Sequence, residues 1–557
     1  MTEMGRRSTE SVADFLARAL ADIGVTTIFG VISIHNMPVL DAIARQNRIR
    51  FVPARGEAGA MNMADAFSRV SRSLGVVITS TGTAAGNAAG AQAEALSAGS
   101  PVLHITTQVD REFMDRDRAA IHDVPRQPDL LRAVSKAYVR MWDATGAPDA
   151  LLSAVAQALA APTGPVSLEI PVDVQRETGH FPRRCALPAQ AVRNPAEADI
   201  AALGEQARAA RRPMLWLGGG ARGAQSPAQA LAALGIGIVT SANGRAIVPE
   251  ALGHSLGAFN MTPEAQGIYA GCDLMIVAGS RLRGNETLNN KMKLPRPLIQ
   301  IDIDDSQCGR NYPVDQFIGA DADAALAALC ALLPGKLDVD PSFHHDIAVA
   351  RAKSEGALRA KLGPYQVVAD ALLARVTAGR HPFVRDVTIS NSTFGNRYVQ
   401  IAAPRLGVHA LGGGIGQGIA MAVGAALAEP GAKTIALIGD GGAMLGIAEL
   451  ITAADEEANL VCILMNDRAY GVIENIQDAQ YQGRRHYSRL RTPDFALLCA
   501  AVGLAHARVA RIEEFEAALD AALSARGPVM LEVDMTAIGP FAESFAGPPA
   551  GAAGGAR

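Results

Sequence analysis

The sequence predicts an α/β protein built from three doubly wound parallel-sheet domains, and three observations carry that expectation. Apolar runs of four to seven residues alternate with stretches of helical period along most of the 557 residues, the pattern of parallel strands joined by crossover helices. The length suits about three domains at ~100–200 residues each. Two segments without a clean period divide it: 176–197, rich in Pro and Arg, and 335–345 (GKLDVDPSFHH). The expected domains are therefore 1–185, 186–345 and 346–557. A low-complexity tail, expected to be mobile, begins at about residue 539.

Taken in order, the first domain should contain a strand at Val76–Thr79, a small-residue loop, a helix over about Asn87–Ser97 and a strand at Val102–Thr106. In the middle domain a strand at Met214–Leu217 leads into GGGARG (Gly218–Gly223), formally a dinucleotide fingerprint. No Asp or Glu lies between Ala221 and Pro249 to hold a ribose, so these glycines are expected to serve a tight strand-to-helix turn. A helix reads well through Ala325–Leu332. The third domain repeats the pattern of the first: a strand at Thr434–Ile438, the loop GDGG, a helix over about Leu445–Glu456 and a strand at Leu460–Met465. In both domains the second strand begins 26 residues after the first, as if one βαβ unit were used twice.

Composition excludes several classes. Lys plus Arg number 51 against 55 Asp plus Glu, a net charge of −4, so no broad basic field exists for nucleic acid or acidic lipid. No run of ~18 apolar residues is present to span a membrane, and MTEMGRRSTESVADF lacks the apolar core of a secretory signal. The six cysteines are scattered, with no CxxC, and read as reduced thiols. A cytoplasmic protein acting on small molecules is expected. The phosphate loop ending in GK and Ser or Thr is absent, as are HExxH and GxSxG.

The chemistry concentrates in Gly439-Asp440-Gly441-Gly442. Glycines between a strand and a helix let backbone N–H groups approach a phosphate. Asp440 would repel a bare phosphate, and a divalent cation between the two removes the conflict. Magnesium takes six oxygens, so a further ligand should end a neighbouring strand. Asn466 does so in LVCILMN, with 24 residues between it and Gly441.

GDG followed by Asn466-Asp467-Arg468-Ala469-Tyr470-Gly471 resembles the thiamin diphosphate signature, GDG and then NN some two dozen residues on, with Asp467 in place of the second Asn. Other segments agree with it in family order. Arg55-Gly56-Glu57 and AGAMNMADAFSR resemble the segment carrying the cofactor-activating glutamate, although Gly56 stands where His is usual. GPVSLEIPVDV resembles the end of the family's first domain. GGGIGQGIAMAVGAALA resembles the segment that cups the thiazolium. The resemblance spans essentially the whole chain and is nearest the acetolactate synthase, benzoylformate decarboxylase and pyruvate oxidase group. It implies pyrimidine-binding, central and diphosphate-binding domains in that order.

The resemblance also implies roles. Glu57 would share a proton with N1′ of the pyrimidine, Ile415 would wedge the cofactor into its bent form, and the carbonyl of Gly413 would hold its 4′-amine. Asp440, Asn466 and the carbonyl of Arg468 would bind magnesium. Gly439, Gly441, Gly442, Ala443 and Tyr470 would line the diphosphate, with Asn391, Ser392 and Thr393, placed at a strand end in ISNSTFGN, adding hydrogen bonds. His35, in FGVISIHNMP, is a candidate proton shuttle. Ser80 falls where benzoylformate decarboxylases carry a histidine, and Gln108 resembles a glutamine of acetolactate synthases. Glu474 lies one residue late for the decarboxylases' Y-x-I-E and takes no role.

The implied activity is a thiamin diphosphate- and magnesium-dependent 2-oxo acid decarboxylase and carboligase, acetolactate synthase-like, which forms an enamine and passes it to a carbonyl or a proton. Two alternatives stand beside it: a benzoylformate-type decarboxylase releasing an aldehyde, and a flavin-linked oxidase. The flavin alternative is the weaker, because GSRLRGNETLNN (Gly279–Asn290) lacks the acidic pair of flavin-bearing members and no functional FAD is expected. A purely regulatory protein is opposed by the complete Glu57, Asp440 and Asn466 set. In such enzymes the Glu57 domain of one chain faces the Asp440 domain of another, so a homodimer or homotetramer is expected.

Overall fold

The structure, a computed structural model, describes residues 7–187, 189–333 and 335–545. The greater part of the tail expected from about residue 539 lies outside the described residues. Strand β1 (Arg7–Ser11) is followed by six strands of one parallel sheet: β2 (Thr27–Gly30), β3 (Arg50–Pro53), β4 (Gly75–Thr79), β5 (Val102–Gln108), β6 (Ala137–Arg140) and β7 (Val166–Pro171). Their spatial order is β3-β2-β4-β5-β7-β6. β8 (Thr178–Pro182) then returns to pair antiparallel with β1. This corrects the expectation of an aperiodic linker over 176–197: the ribbon is short and largely polar, so no apolar alternation marks it.

The middle sheet comprises β9 (Pro213–Leu217), β10 (Gly237–Thr240), β11 (Leu274–Ala278), β12 (Leu298–Asp302) and β13 (Gln316–Gly319), all parallel, in the order β10-β9-β11-β12-β13. The GGGARG segment forms a short 3-10 turn at Gly219–Ala221, where the Gly220 N–H donates to Gly279 O at 2.9 Å. Close turn-to-turn packing therefore accounts for the glycines, as expected. A helix, Phe343–Leu362, runs across position 345.

The last sheet contains β14 (Phe383–Arg385), β15 (Gly407–His409), β16 (Thr434–Gly439), β17 (Leu460–Asn466), β18 (Ala505–Val509) and β19 (Val529–Asp534). Its order, β15-β14-β16-β17-β19-β18, repeats that of the first sheet strand for strand, all parallel. The βαβ unit read twice in the sequence, β4–β5 and β16–β17, thus belongs to two copies of one topology.

The copies meet through equivalent helices. Glu57–Ser71 follows β3 and Gly418–Ala428 follows β15, and residues of both join one buried apolar cluster. Gly418–Ala428 is apolar on every side and buried from Gly418 to Ala426, as a helix sandwiched between layers requires. A Cβ on Gly424 would lie 2.1 Å from Met63 O, so glycine sets how closely the two helices approach.

GDGG is not a loop. A helix begins at Asp440 and ends at Leu445, and another runs over Glu449–Asp455, in place of one helix from Leu445. Glycines are poor helix formers, so the sequence masks this start; here they occupy the first turn because neighbours crowd it.

Candidate active site

β16 and β17 pair as far as Gly439↔Met465, so Asp440 and Asn466 emerge side by side from adjacent strands about 4.8 Å apart. Both are buried. Asp440 Oδ2 and Asn466 Oδ1 lack any hydrogen-bond partner in the described structure. Buried oxygens left without a donor are costly and call for a ligand. Burial first, and then the neighbouring Asp467 carboxylate, push the Asp440 carboxyl well above the usual range, and burial also raises Asp467. A cation placed here would relieve that repulsion, and hard oxygen donors suit a hard divalent ion. Arg468 follows with φ +56°; its carbonyl accepts from Leu490 N–H at 2.9 Å and keeps a second lone pair.

The helix start beside these oxygens is crowded on both flanks. A Cβ on Gly441 would lie 2.7 Å from the Tyr470 ring, and one on Gly442 would lie 2.8 Å from Asp386 Oδ2. Tyr470 therefore covers Gly441. The amides of Gly441, Gly442 and Ala443 belong to the first helical turn, where N–H groups have no intrahelical acceptor.

The loop carrying Gly413 (φ +85°) and Ile415 crosses this helix: Gly416 packs so closely that a Cβ would lie 2.5 Å from Leu445 Cβ. Two acidic residues that no sequence motif marks hold the loop. Asp386 Oδ2 accepts from Gly416 N (3.1 Å) and Gly418 N (3.2 Å), and both Glu94 oxygens accept from Gly412 N (2.8 and 2.9 Å). Burial raises both carboxyls. Ile415 stands 43% exposed on the loop.

Asn391–Thr393 are not at a strand end, as expected, but in a helical turn, Asn391–Gly395, beyond the end of β14. The Asn391 N–H donates to Thr388 Oγ1 at 3.0 Å, which starts the turn. The Thr393 hydroxyl donates to Ile389 O at 2.8 Å, while Asn391 Oδ1 is buried and unpartnered.

A second cluster lies at the end of the first sheet. Glu57 opens its helix, half-buried, and its Oε2 accepts from Asn87 Nδ2 at 3.1 Å. The preceding turn is tied to the third domain by Glu449, both of whose oxygens accept from Arg55 N at 3.2 Å. His35 is buried, with Nδ1 3.4 Å from both Ser80 Oγ and His122 Nδ1, and burial followed by His122 lowers its pKa. The structure thus joins His35 to Ser80 and adds His122, which no motif announced.

Gln108 is different. It is fully buried, and its amide is occupied by Thr81 Oγ1 (2.9 Å), Val109 N (2.9 Å) and Glu169 Oε1 (3.3 Å), so it braces strand ends and presents no group to a ligand.

Among the described residues no hydrogen bond or ion pair joins Glu57, His35 or Ser80 to the Asp440 cluster. Exposed apolar side chains flank each: Ile32, Ile34, Met37 and Ile121 on one side; Ile415, Met444, Leu445 and Ile473 on the other. A cleft of about 540 Å³ opens beside the GGGARG turn where the three domains meet, lined by Arg69 of the first, Arg222, Arg281 and Arg283 of the middle and Arg405 of the third.

No described helix is long and apolar enough to cross a membrane. All six cysteines are free.

Three family models match the chain: "Thiamine pyrophosphate enzyme, N-terminal TPP binding domain" over residues 10–130, "central domain" over 200–329, and "C-terminal TPP binding domain" over 388–533. Similar proteins include the probable 2-ketoarginine decarboxylase AruI of Pseudomonas aeruginosa, 30% identical over 95% of each chain. The acetolactate synthase isozyme 2 large subunit of Escherichia coli is 28% identical, over 94% of this chain and 95% of its own. The chloroplastic acetolactate synthase 2 of Brassica napus is 26% identical, over 94% of this chain and 85% of its own.

Proposed function

The chain belongs to the thiamine pyrophosphate (thiamin diphosphate) enzyme family, and from that premise we propose that it is a magnesium-dependent 2-oxo acid decarboxylase and carboligase of acetolactate synthase type. The observation that carries this reading is the pair of buried, unpartnered oxygens, Asp440 Oδ2 and Asn466 Oδ1, beside a glycine-rich helix start. Together with the free lone pair of the Arg468 carbonyl they form a donor set that fits magnesium. Gly439, the amides of Gly441, Gly442 and Ala443, the Tyr470 ring, Asn391 and Ser392 form the cradle for the diphosphate.

Bound thiamin diphosphate supplies a nucleophilic carbon and an electron sink for the loss of CO2. The chain's residues orient and activate it. Glu57 shares a proton with the pyrimidine ring, and Asn87 aims its carboxylate. Glu94 and Asp386 keep in place the loop on which Ile415 would pack against the cofactor and Gly413 would present its carbonyl. Residues 1–185 hold the pyrimidine, 346–557 hold the diphosphate, and 186–345 form the central domain. Glu57 and Asp440 meet across two chains, with the exposed apolar flanks covering each other in a homodimer or homotetramer.

The relatives' names divide between decarboxylation and carboligation. The buried His35 imidazole, within 3.4 Å of Ser80 Oγ and His122 Nδ1, could relay a proton, which favours release of an aldehyde as the second reading. The arginine-lined cleft between the domains would suit an anionic cofactor such as a flavin nucleotide, which would favour an oxidative branch. The test is a panel of aliphatic, aromatic and guanidino 2-oxo acids, 2-ketoarginine among them, with and without acceptor aldehydes, followed by product identification. An acyloin or acetohydroxy acid supports the proposal, and an aldehyde alone moves it to the second reading. No CO2 from any member contradicts both. A yellow protein with flavin absorbance turns the reading to oxidation.

A further inference from the structure

We propose that Glu532 is a positioning residue that fixes which atom of the Asn466 amide faces the metal site. An asparagine amide can offer either its oxygen or its NH2, and the two differ only by a rotation. The geometry selects one. Asn466 Nδ2 donates to Glu532 Oε1 at 2.7 Å, inside the protein. A carboxylate is an acceptor only, so it tolerates the nitrogen and repels the amide oxygen. Oδ1 is thereby turned the other way, buried and without a partner, beside Asp440.

The sheet register makes this arrangement possible. Asn466 pairs with Asp534 across β17 and β19, while Glu532 lies two residues earlier on β19, on the same face and diagonal to Asn466. Its own carboxylate is held in turn: Glu532 Oε2 is 3.0 Å from Nε2 of His506 on β18, which pairs with Met530. Asn466, Glu532 and His506 thus form a row across three strands, and all three line a cleft of about 610 Å³. No motif in the sequence marks Glu532, because its role depends on a partner 66 residues away on a neighbouring strand.

The proposal rests on the assignment of Asn466 as a metal ligand, and the experiment separates the two. Thiamin diphosphate binding to the full-length protein is followed by calorimetry while Mg2+ is varied, which reads the metal requirement without turnover. Glu532→Leu should raise the Mg2+ concentration for half-maximal binding by about 10- to 100-fold, the usual cost of losing an outer-shell partner. Glu532→Gln, which can present either its oxygen or its NH2 to Asn466, should give a smaller rise than Glu532→Leu. Should the Leu chain fail to fold, Glu532→Ala carries the same expectation, since water in the vacated space can face either end of the amide.

The decisive arm is a double variant. Asn466→Asp offers oxygen in either orientation, so Glu532→Leu added to it should cause no further rise. A purely structural role for Glu532 would instead give the same rise in both backgrounds and overturn the proposal, as would an unchanged Mg2+ requirement in Glu532→Leu. If Asn466→Ala leaves the requirement unchanged, the ligand assignment itself falls, and the orientation proposal falls with it.

Discussion

Asp440 and Asn466 were legible in the sequence because their chemistry is local: a carboxylate in a glycine-rich strand-to-helix junction, and an amide at the end of the next strand. Glu94, Asp386 and Glu449 were not, because each accepts from backbone N–H groups supplied by distant segments, and backbone donors leave no trace in residue type. Under the proposed assignment, Asp440→Ala should weaken thiamin diphosphate binding by more than about 100-fold, beyond the cost of an outer-shell change. Calorimetry giving parental affinity would contradict it. His104 supplies a pH prediction. It is fully buried between Gln92 Oε1 (2.7 Å) and Thr79 Oγ1 (2.9 Å), and burial lowers its pKa from 6.5 to about 3. The unfolded chain therefore takes up a proton as pH falls below 6.5, while the folded chain refuses it until about 3. Stability is complete above 6.5 and is lost across that window, by up to about 1.4 kcal/mol per pH unit. Denaturant titrations at pH 7.0 and 5.5 should show a smaller loss in His104→Gln than in the parent.

At the scale of elements, the strands were read well because they are short apolar runs. The expected β4, β5, β16 and β17 each fall within one or two residues of the observed strands at both ends. The helix starting at Asp440 was missed, since three of the four residues Gly439–Gly442 argue against a helix on propensity alone. What overrides propensity is contact: Tyr470 and Asp386 leave no room for side chains at Gly441 and Gly442. Gly442→Ala should therefore cost about 1–3 kcal/mol through overpacking against Asp386, despite alanine's better helix propensity. Urea unfolding checks this, and a stabilised variant would show that the helix start is looser than described. The β1–β8 ribbon was missed for the opposite reason, because its pairing is held by backbone bonds between polar segments with no pattern to read.

At the scale of the molecule, the two equivalent sheets make equivalent ends, one carrying Glu57 and the other Asp440, and the chain packs them through the matching helices Glu57–Ser71 and Gly418–Ala428. The 26-residue spacing hinted at this duplication in the sequence; the identity of all six strand positions required the pairing itself. Each cluster is rimmed by exposed apolar residues, and under the proposed assembly a second copy covers them. Light scattering should find a dimer or tetramer, with specific activity falling on dilution below its dissociation; a fully active monomer would contradict the arrangement. Under the proposed assignment Glu57 activates the cofactor while the Asp440 cluster holds it. Glu57→Gln keeps the size of the side chain but cannot exchange a proton with the pyrimidine. Hydrogen–deuterium exchange at C2 of bound thiamin diphosphate reads that step directly, whatever the substrate. The Gln variant should keep parental cofactor affinity while exchange slows by about 10²–10⁴-fold, the cost of a lost acid–base partner; exchange at the parental rate would contradict this role for Glu57.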